Sequence, residues 1–289
     1  MPSYEELPTE EVDPSGPELD LMPPLEVARV LLREEARAHA AVAAAIDSIG
    51  RACAAAAAAL RAGGRLLYVG AGTSGRLGVL DAAEMAPTFG AAPGQVVARI
   101  AGGAKALTES VEGAEDDEDA GRRDLGVTTE RDCSVGITMS GTAAYVRGAL
   151  AAARGTRVLL TANPGSAIPA EIRVVLDLGP EALAGSTRLK GGSATKAVLN
   201  MISTAAMAAS GAVYGNLMVR VRPVNRKLRD RAERLVERIA KVPRARAADF
   251  LRAGGDDVRV AVLMARGASR EQAEAALRAS GGSLREALR

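Results

Sequence analysis

The sequence predicts an α/β protein: a parallel sheet with helices on both faces, helices before it, and a small helical module after it. Three observations lead there. Short apolar runs alternate with segments of helical spacing between residues 66 and 176. The first and third of these runs end in turns rich in Gly, Ser and Thr. After Pro223 the pattern becomes basic, amphipathic and helical throughout. These shifts divide the chain into an arm with helices (1–57), a sheet domain (58–222) and a helical C-terminal module (223–289).

The elements follow in order. Residues 1–22 read as an extended arm, because Pro2, Pro8, Pro14 and Pro17 oppose helix. Leu25 to Leu60 is rich in Ala, Leu and Arg at helical spacing and reads as two helices broken near Ile49-Gly50, with Gly63-Gly64 ending the second. Leu66–Val69 is the first strand, and Leu77–Met85 a helix stopped by Pro87. Val96–Ile100 is the second strand. A helix through Ala106, Leu107 and Val111 then runs into an acidic cluster. Ser134–Thr138, Arg157–Thr161 and Ile172–Leu176 complete the strands, with a helix through Val146 and Leu150 between the first two. Lys190 to Tyr214 carries little charge and reads as a helix buried on more than one side. Arg226 to Val242 is a basic amphipathic helix. The short helices beyond it are punctuated by Gly pairs, with Ser269 and Ser283 as N-caps.

Composition excludes several classes. The chain has 289 residues, 48% of them hydrophobic, so it can bury a large core. Aromatic residues make up 2%, with no Trp, which leaves little to stack on bases. The 37 basic residues nearly balance the 35 acidic ones, so charge gives no reason to expect nucleic acid or a membrane surface. Cys53 and Cys133 stand far apart and read as free thiols of a reducing compartment. His39 is the only His, which argues against a zinc site and a Ser/His/Asp triad. The acidic, Pro-rich N-terminus is not a signal peptide, and no apolar run is long and uninterrupted enough to span a bilayer. The expected location is the cytoplasm.

The chemistry centres on Gly70 to Gly75, which fits GxGxxG. A dinucleotide site would also need an acid near the end of the second strand. That strand ends Arg99-Ile100-Ala101-Gly102-Gly103, so the dinucleotide reading lacks its ribose partner. What remains is an anion turn: Gly72, Thr73 and Ser74 offer backbone N–H groups and hydroxyls at a helix start. Thr138, Ser140, Gly141 and Thr142 repeat that chemistry after the third strand. Two such turns at the carboxyl ends of strands suit one small, phosphorylated, polyoxygenated ligand. Glu84 and Glu115 are the candidate catalytic carboxylates. A pair of this kind can act as acid and base when its environments separate the two pKa values. Glu115 stands in an acidic run, whereas Met85-Ala86-Pro87 suggests a packed helix end around Glu84.

The segments GAGTSGRLGVLDAAEMAPTFG at 70–90, AGG at 101–103, EGAEDD at 112–117, GPEALAGSTRLKGGSATKAVLNMIST at 179–204 and NLMV at 216–219 resemble the N-acetylmuramic acid 6-phosphate etherases from about Thr9 onward. They are also similar to the glucokinase regulatory protein, a non-enzymatic sugar-phosphate binder of the same sugar-isomerase (SIS) fold. The resemblance implies a SIS-type sheet and a carbon–oxygen lyase. Such an enzyme releases D-lactate from N-acetylmuramate 6-phosphate in peptidoglycan recycling, as a homodimer without metal or organic cofactor. It matches Glu84 to the acid/base that protonates lactate and Glu115 to a second active-site carboxylate. The family's Ser-Gly-Arg-Thr-Pro turn is here Ser140-Gly141-Thr142-Ala143-Ala144. A non-catalytic sugar-phosphate-binding regulator is the alternative. A sugar-phosphate isomerase shares the fold but not the matched motifs.

Overall fold

The computed structural model describes residue 7 and residues 9–289. Where the extended-arm reading falls on residues 1–6 and Pro8, it lies outside the described residues. From Thr9 the arm runs as turns and extended chain, with one 3-10 turn at Leu19–Leu21. Helix α1 (Pro24–Ala44) opens on Pro24, whose fixed φ and missing N–H suit a first helical position. Helix α2 is Ile46–Arg61. The break falls at Ala45, with a bend of 65°, and not at Ile49-Gly50. Gly50 stays helical on the exposed side of α2. Its propensity cost of about 1 kcal/mol is outweighed by burial of Ile49, Ala52, Ala56 and Leu60 on the other side.

Strands β1 (Leu66–Gly70), β2 (Val96–Ile100), β3 (Cys133–Ile137), β4 (Thr156–Thr161) and β5 (Ile172–Val175) form one parallel sheet in the order β2-β1-β3-β4-β5. Every residue of β1 and β3 is buried, as expected of central strands covered on both faces. The connection from β1 leads outward to β2, while β3 lies on its other side. The carboxyl ends of β1 and β3 therefore flank a topological switch point, where open α/β sheets place their ligands.

Helix α3 is longer than the sequence suggests. It spans Gly72–Phe89 and includes both the Gly-rich segment and Pro87. The glycines mark a tight strand-to-helix junction whose first N–H groups lack intrahelical acceptors anyway. Pro87 lies in the last turn, opposite the carbonyl of the exposed residue Ala83, which water can satisfy. Between β2 and β3 the expected helix is replaced by 3-10 turns at Gly103–Leu107 and Ala114–Asp116. Helix α4 (Glu118–Leu125) follows, and the Asp117 carboxylate accepts from the Ala120 N–H at 2.7 Å. The acidic cluster is thus in part a helix start, where the dipole favours negative charge.

Helix α5 (Ala144–Ala152) follows β3. Helix α6 (Lys190–Ala209) stops short of Tyr214, because Val213–Tyr214 (β6) pairs with Leu217–Met218 (β7) in a small hairpin that the helical reading absorbed. Helices α7 (Arg226–Ala240), α8 (Arg244–Ala253), α9 (Val258–Ala265), α10 (Arg270–Ala279) and α11 (Leu284–Ala287) complete the chain. Ser269 and Ser283 cap α10 and α11 as expected.

Two compact units emerge. One comprises the residues up to Ala82 with Val96–Ser203, the other Ala83–Gln95 with Thr204–Arg289. In the first, Leu67 and Val69 of β1 and Leu159 of β4 pack with Tyr145, Val146 and Leu150 of α5. In the second, Leu235, Val236 and Ile239 of α7 pack with Leu251 of α8, Val262 of α9 and Leu277 of α10.

Candidate active site

The site is built where β1 turns into α3. A Cβ on Gly75 would stand 2.6 Å from the Gly70 carbonyl oxygen and 2.6 Å from Ile100 Cγ1, so only glycine lets the helix start against the strand end. This close junction sets Gly72, Thr73 and Ser74 in the first turn of α3, and all three line a cavity of about 430 Å³. Free N–H groups and the positive end of the helix dipole favour an anion there.

The β3–α5 turn supplies a second wall. Gly141 adopts a φ of 71°, and its N–H returns to Thr138 Oγ1 at 3.2 Å. The three hydroxyls form a relay: Thr138 Oγ1 lies 3.3 Å from Ser140 Oγ, which lies 3.0 Å from Thr142 Oγ1. Asn163 Nδ2 donates to the Ser140 carbonyl at 2.8 Å, and Ser166 Oγ donates to that of Gly141 at 2.6 Å. Thr138, Ser140 and Thr142 line the cavity; Gly141 shapes the turn behind them.

Glu115 and Asp116 form a third wall, at the end of the 3-10 turn Ala114–Asp116. Partial desolvation raises the Glu115 pKa above the ordinary carboxylate value, and the charges of Asp116 and Glu112 raise it further. Leu7, Thr9 and Glu10 of the arm, with Gly185 and Thr187, are also part of the lining. Among the described residues, no Lys, Arg or His belongs to it. The groups that the described residues of this lining offer to an anion are N–H groups, hydroxyls and the helix dipole. Among the described residues, no group of three or more His, Cys, Asp or Glu is set to hold a metal ion.

Of the residues expected at the site, the structure brings together Gly72, Thr73, Ser74, Glu115, Thr138, Ser140 and Thr142 around one cavity, with Gly141 supporting them. Glu84 is not part of the lining. It lies on α3 ten residues beyond Ser74, about 15 Å along the helix axis, and it is exposed. The expected packed surroundings belong to its neighbours Met85 and Phe89, which point into the core. Sequence reasoning missed Thr9, Glu10, Asp116 and Thr187. Asp116 stood beside Glu115 in the acidic run, while the other three come from irregular segments without periodicity.

Residues 48–154 match the family described as glucokinase regulatory protein N-terminal SIS domain. The N-acetylmuramic acid 6-phosphate etherase of Gloeobacter violaceus is 48% identical over 297 residues, covering 100% of this chain and 97% of its own. That of Rubrobacter xylanophilus is 47% identical, covering 98% of this chain and 96% of its own. That of Salmonella choleraesuis is 46% identical, covering 96% of each. In backbone shape, a solved protein of E. coli CFT073 aligns with a TM-score of 0.47 at 16% identity, covering 65% of this chain and 93% of that one.

Proposed function

The chain belongs to the N-acetylmuramic acid 6-phosphate etherase family, and from that premise we propose that it cleaves the D-lactyl ether of N-acetylmuramate 6-phosphate. Water is consumed, and N-acetylglucosamine 6-phosphate and D-lactate are released. The observation that carries this reading is one cavity that joins an anion-binding helix start to Glu115, a carboxylate with a raised pKa. The phosphate sits against Gly72, Thr73 and Ser74 and the hydroxyls of Thr138, Ser140 and Thr142. The open-chain aldehyde of the sugar acidifies the C2 proton, and a base removes it. Electrons then shift to form the C2–C3 double bond, the C3–O bond breaks, and lactate leaves with a proton from an acid. Water adds to C3 as C2 regains a proton. Of the carboxylates that line the cavity, Glu115 is the one assigned to catalysis, and Glu84 protonates the departing lactate. The route uses no metal or organic cofactor.

The proposed assembly is a homodimer. Glu84 shares a face of α3 with Leu80, one turn before it and 48% exposed. A partner subunit covering that face shields Leu80 and takes Glu84 to the partner's cavity. The proposed location is the cytoplasm; among the described residues no single helix is long and apolar enough to cross a membrane.

Incubation with N-acetylmuramate 6-phosphate and an assay for D-lactate test the activity. Wild type is expected to release lactate. Glu84→Gln and Glu115→Gln are each expected to lower kcat by about 10²-fold or more, within the range of a general acid or base, with phosphosugar binding retained. Binding without lactate release from wild type would instead support a non-catalytic sugar-phosphate regulator. Thr142-Ala143-Ala144, in place of a turn with Arg, is the sequence feature that raises that second reading, which the full-length relatives do not favour.

A further inference from the structure

The geometry points to Glu10, on the N-terminal arm, as a residue that recognises the sugar rather than the phosphate: its carboxylate accepts hydrogen bonds from neutral O–H or N–H groups of the bound phosphosugar. The inference rests on the phosphosugar reading above. The arm is seated at the cavity by its neighbours. Leu7 is 3% exposed and Thr9 5% exposed, and both line the cavity with Glu10. The Glu10 N–H donates to the Leu7 carbonyl at 2.9 Å, which ties the Glu10 backbone to a buried neighbour.

The carboxylate itself is left open. A Cβ on Gly185 would stand 3.0 Å from Glu10 Oε2, so glycine at this position leaves that oxygen uncrowded. Among the described residues, the Thr9 hydroxyl, 3.4 Å from Oε1, is the one hydrogen-bond partner of this carboxylate, and it has no ion pair with a Lys or Arg. A carboxylate has about four lone-pair sites, so most of its accepting capacity is unused within the described residues, and the side chain, which lines the cavity, is exposed and open to a ligand.

Charge decides what those sites accept. Glu10, Glu115 and Asp116 share a lining that, among the described residues, holds no cation. A phosphate is repelled from that group and drawn to the N–H groups and hydroxyls of the α3 start and the β3–α5 turn. The groups of an amino-sugar phosphate that can approach a free carboxylate favourably are its neutral donors, the hydroxyls and the acetamido N–H. With Glu115 assigned to proton transfer in the reading above, Glu10 supplies the acceptor that tells a sugar phosphate from phosphate alone.

Calorimetric titration of the full chain with N-acetylglucosamine 6-phosphate and, separately, with inorganic phosphate tests this. Wild type, Glu10→Gln and Glu10→Ala are compared, with D-lactate release measured in parallel. Removing a hydrogen bond to a charged group is expected to weaken sugar-phosphate binding about 10- to 100-fold in Glu10→Ala. Glu10→Gln, which keeps one acceptor oxygen, falls between Ala and wild type. Inorganic phosphate binding is expected to stay unchanged, and the loss in turnover to appear in KM with kcat nearly constant. Equal weakening of both ligands would show that Glu10 only shapes the cavity and would overturn the inference. Unchanged sugar-phosphate binding would overturn it too, while leaving the etherase reading intact if lactate is still released. Wild type that neither binds the sugar phosphate nor releases lactate would remove the reading beneath it and the inference together.

Discussion

Glu115 owes its chemistry to what surrounds it. Burial and two like charges raise its pKa, so its protonated form persists to higher pH than that of an ordinary glutamate. Replacing Asp116 by Asn removes one of those charges, favours the ionised form, and lowers the Glu115 pKa. The limb of the kcat/KM–pH profile that Glu115 sets is therefore expected to move to lower pH in Asp116→Asn; a limb that stays in place would show that another group sets it. Cys133, fully buried on β3, is governed by burial alone, which pushes its thiol up to about 12. At neutral pH it stays a thiol and behaves as core. The sequence distinguished these two roles only in part. The two lone cysteines read as free thiols and are free in the structure, whereas the acidic run offered Glu115 but concealed that Asp116 joins it in the cavity lining.

At the scale of the element, the β1–α3 junction decides whether the site exists. Gly75→Ala drives a methyl group into the Gly70 carbonyl and Ile100, so the first turn of α3 must move off the strand. Urea unfolding is expected to show a loss of about 1–3 kcal/mol, and phosphosugar affinity should fall with it; an unchanged melt and affinity would show that the junction has slack. Most of the sheet was legible because fully buried parallel strands appear as apolar runs, and Val96–Ile100 is read to its ends. Boundaries drifted where a residue's usual meaning was overridden. Gly72 and Gly75 signal a turn, yet they open a helix at a position that needs no side chain. Gly50 signals a break, yet packing of the opposite face carries it. The hairpin of β6 and β7, two residues per strand, is too short to leave a period. Thr9 and Glu10 reach the cavity through residues far along the chain, from Ala71 to Thr187, which no local pattern encodes.

For the whole molecule, the proposed homodimer makes two demands that can be measured. Leu80→Asp places a charge on the face to be covered, and sedimentation is expected to show a shift from dimer to monomer; a variant that sediments as wild type would place the interface elsewhere. If Glu84 serves the partner's cavity, mixing the inactive Glu84→Gln and Glu115→Gln chains restores activity. Half of the randomly re-paired dimers then carry one intact site, giving about a quarter of the wild-type rate. No restoration would confine each pair of carboxylates to one chain. The Lys190 ammonium, 1% exposed, lies 2.7 Å from Glu34 Oε2 on α1 and 2.7 Å from the Pro180 carbonyl on the approach to α6. Glu34 and Lys190 are 156 positions apart, with all five strands of the sheet between them in the chain, so bringing them together carries a large loop-closure cost. We expect this contact to form late in folding and to act as a latch. Stopped-flow kinetics of Lys190→Met should accordingly show faster unfolding at a nearly unchanged refolding rate, so that the residue governs how long the assembled protein lasts more than how quickly it forms.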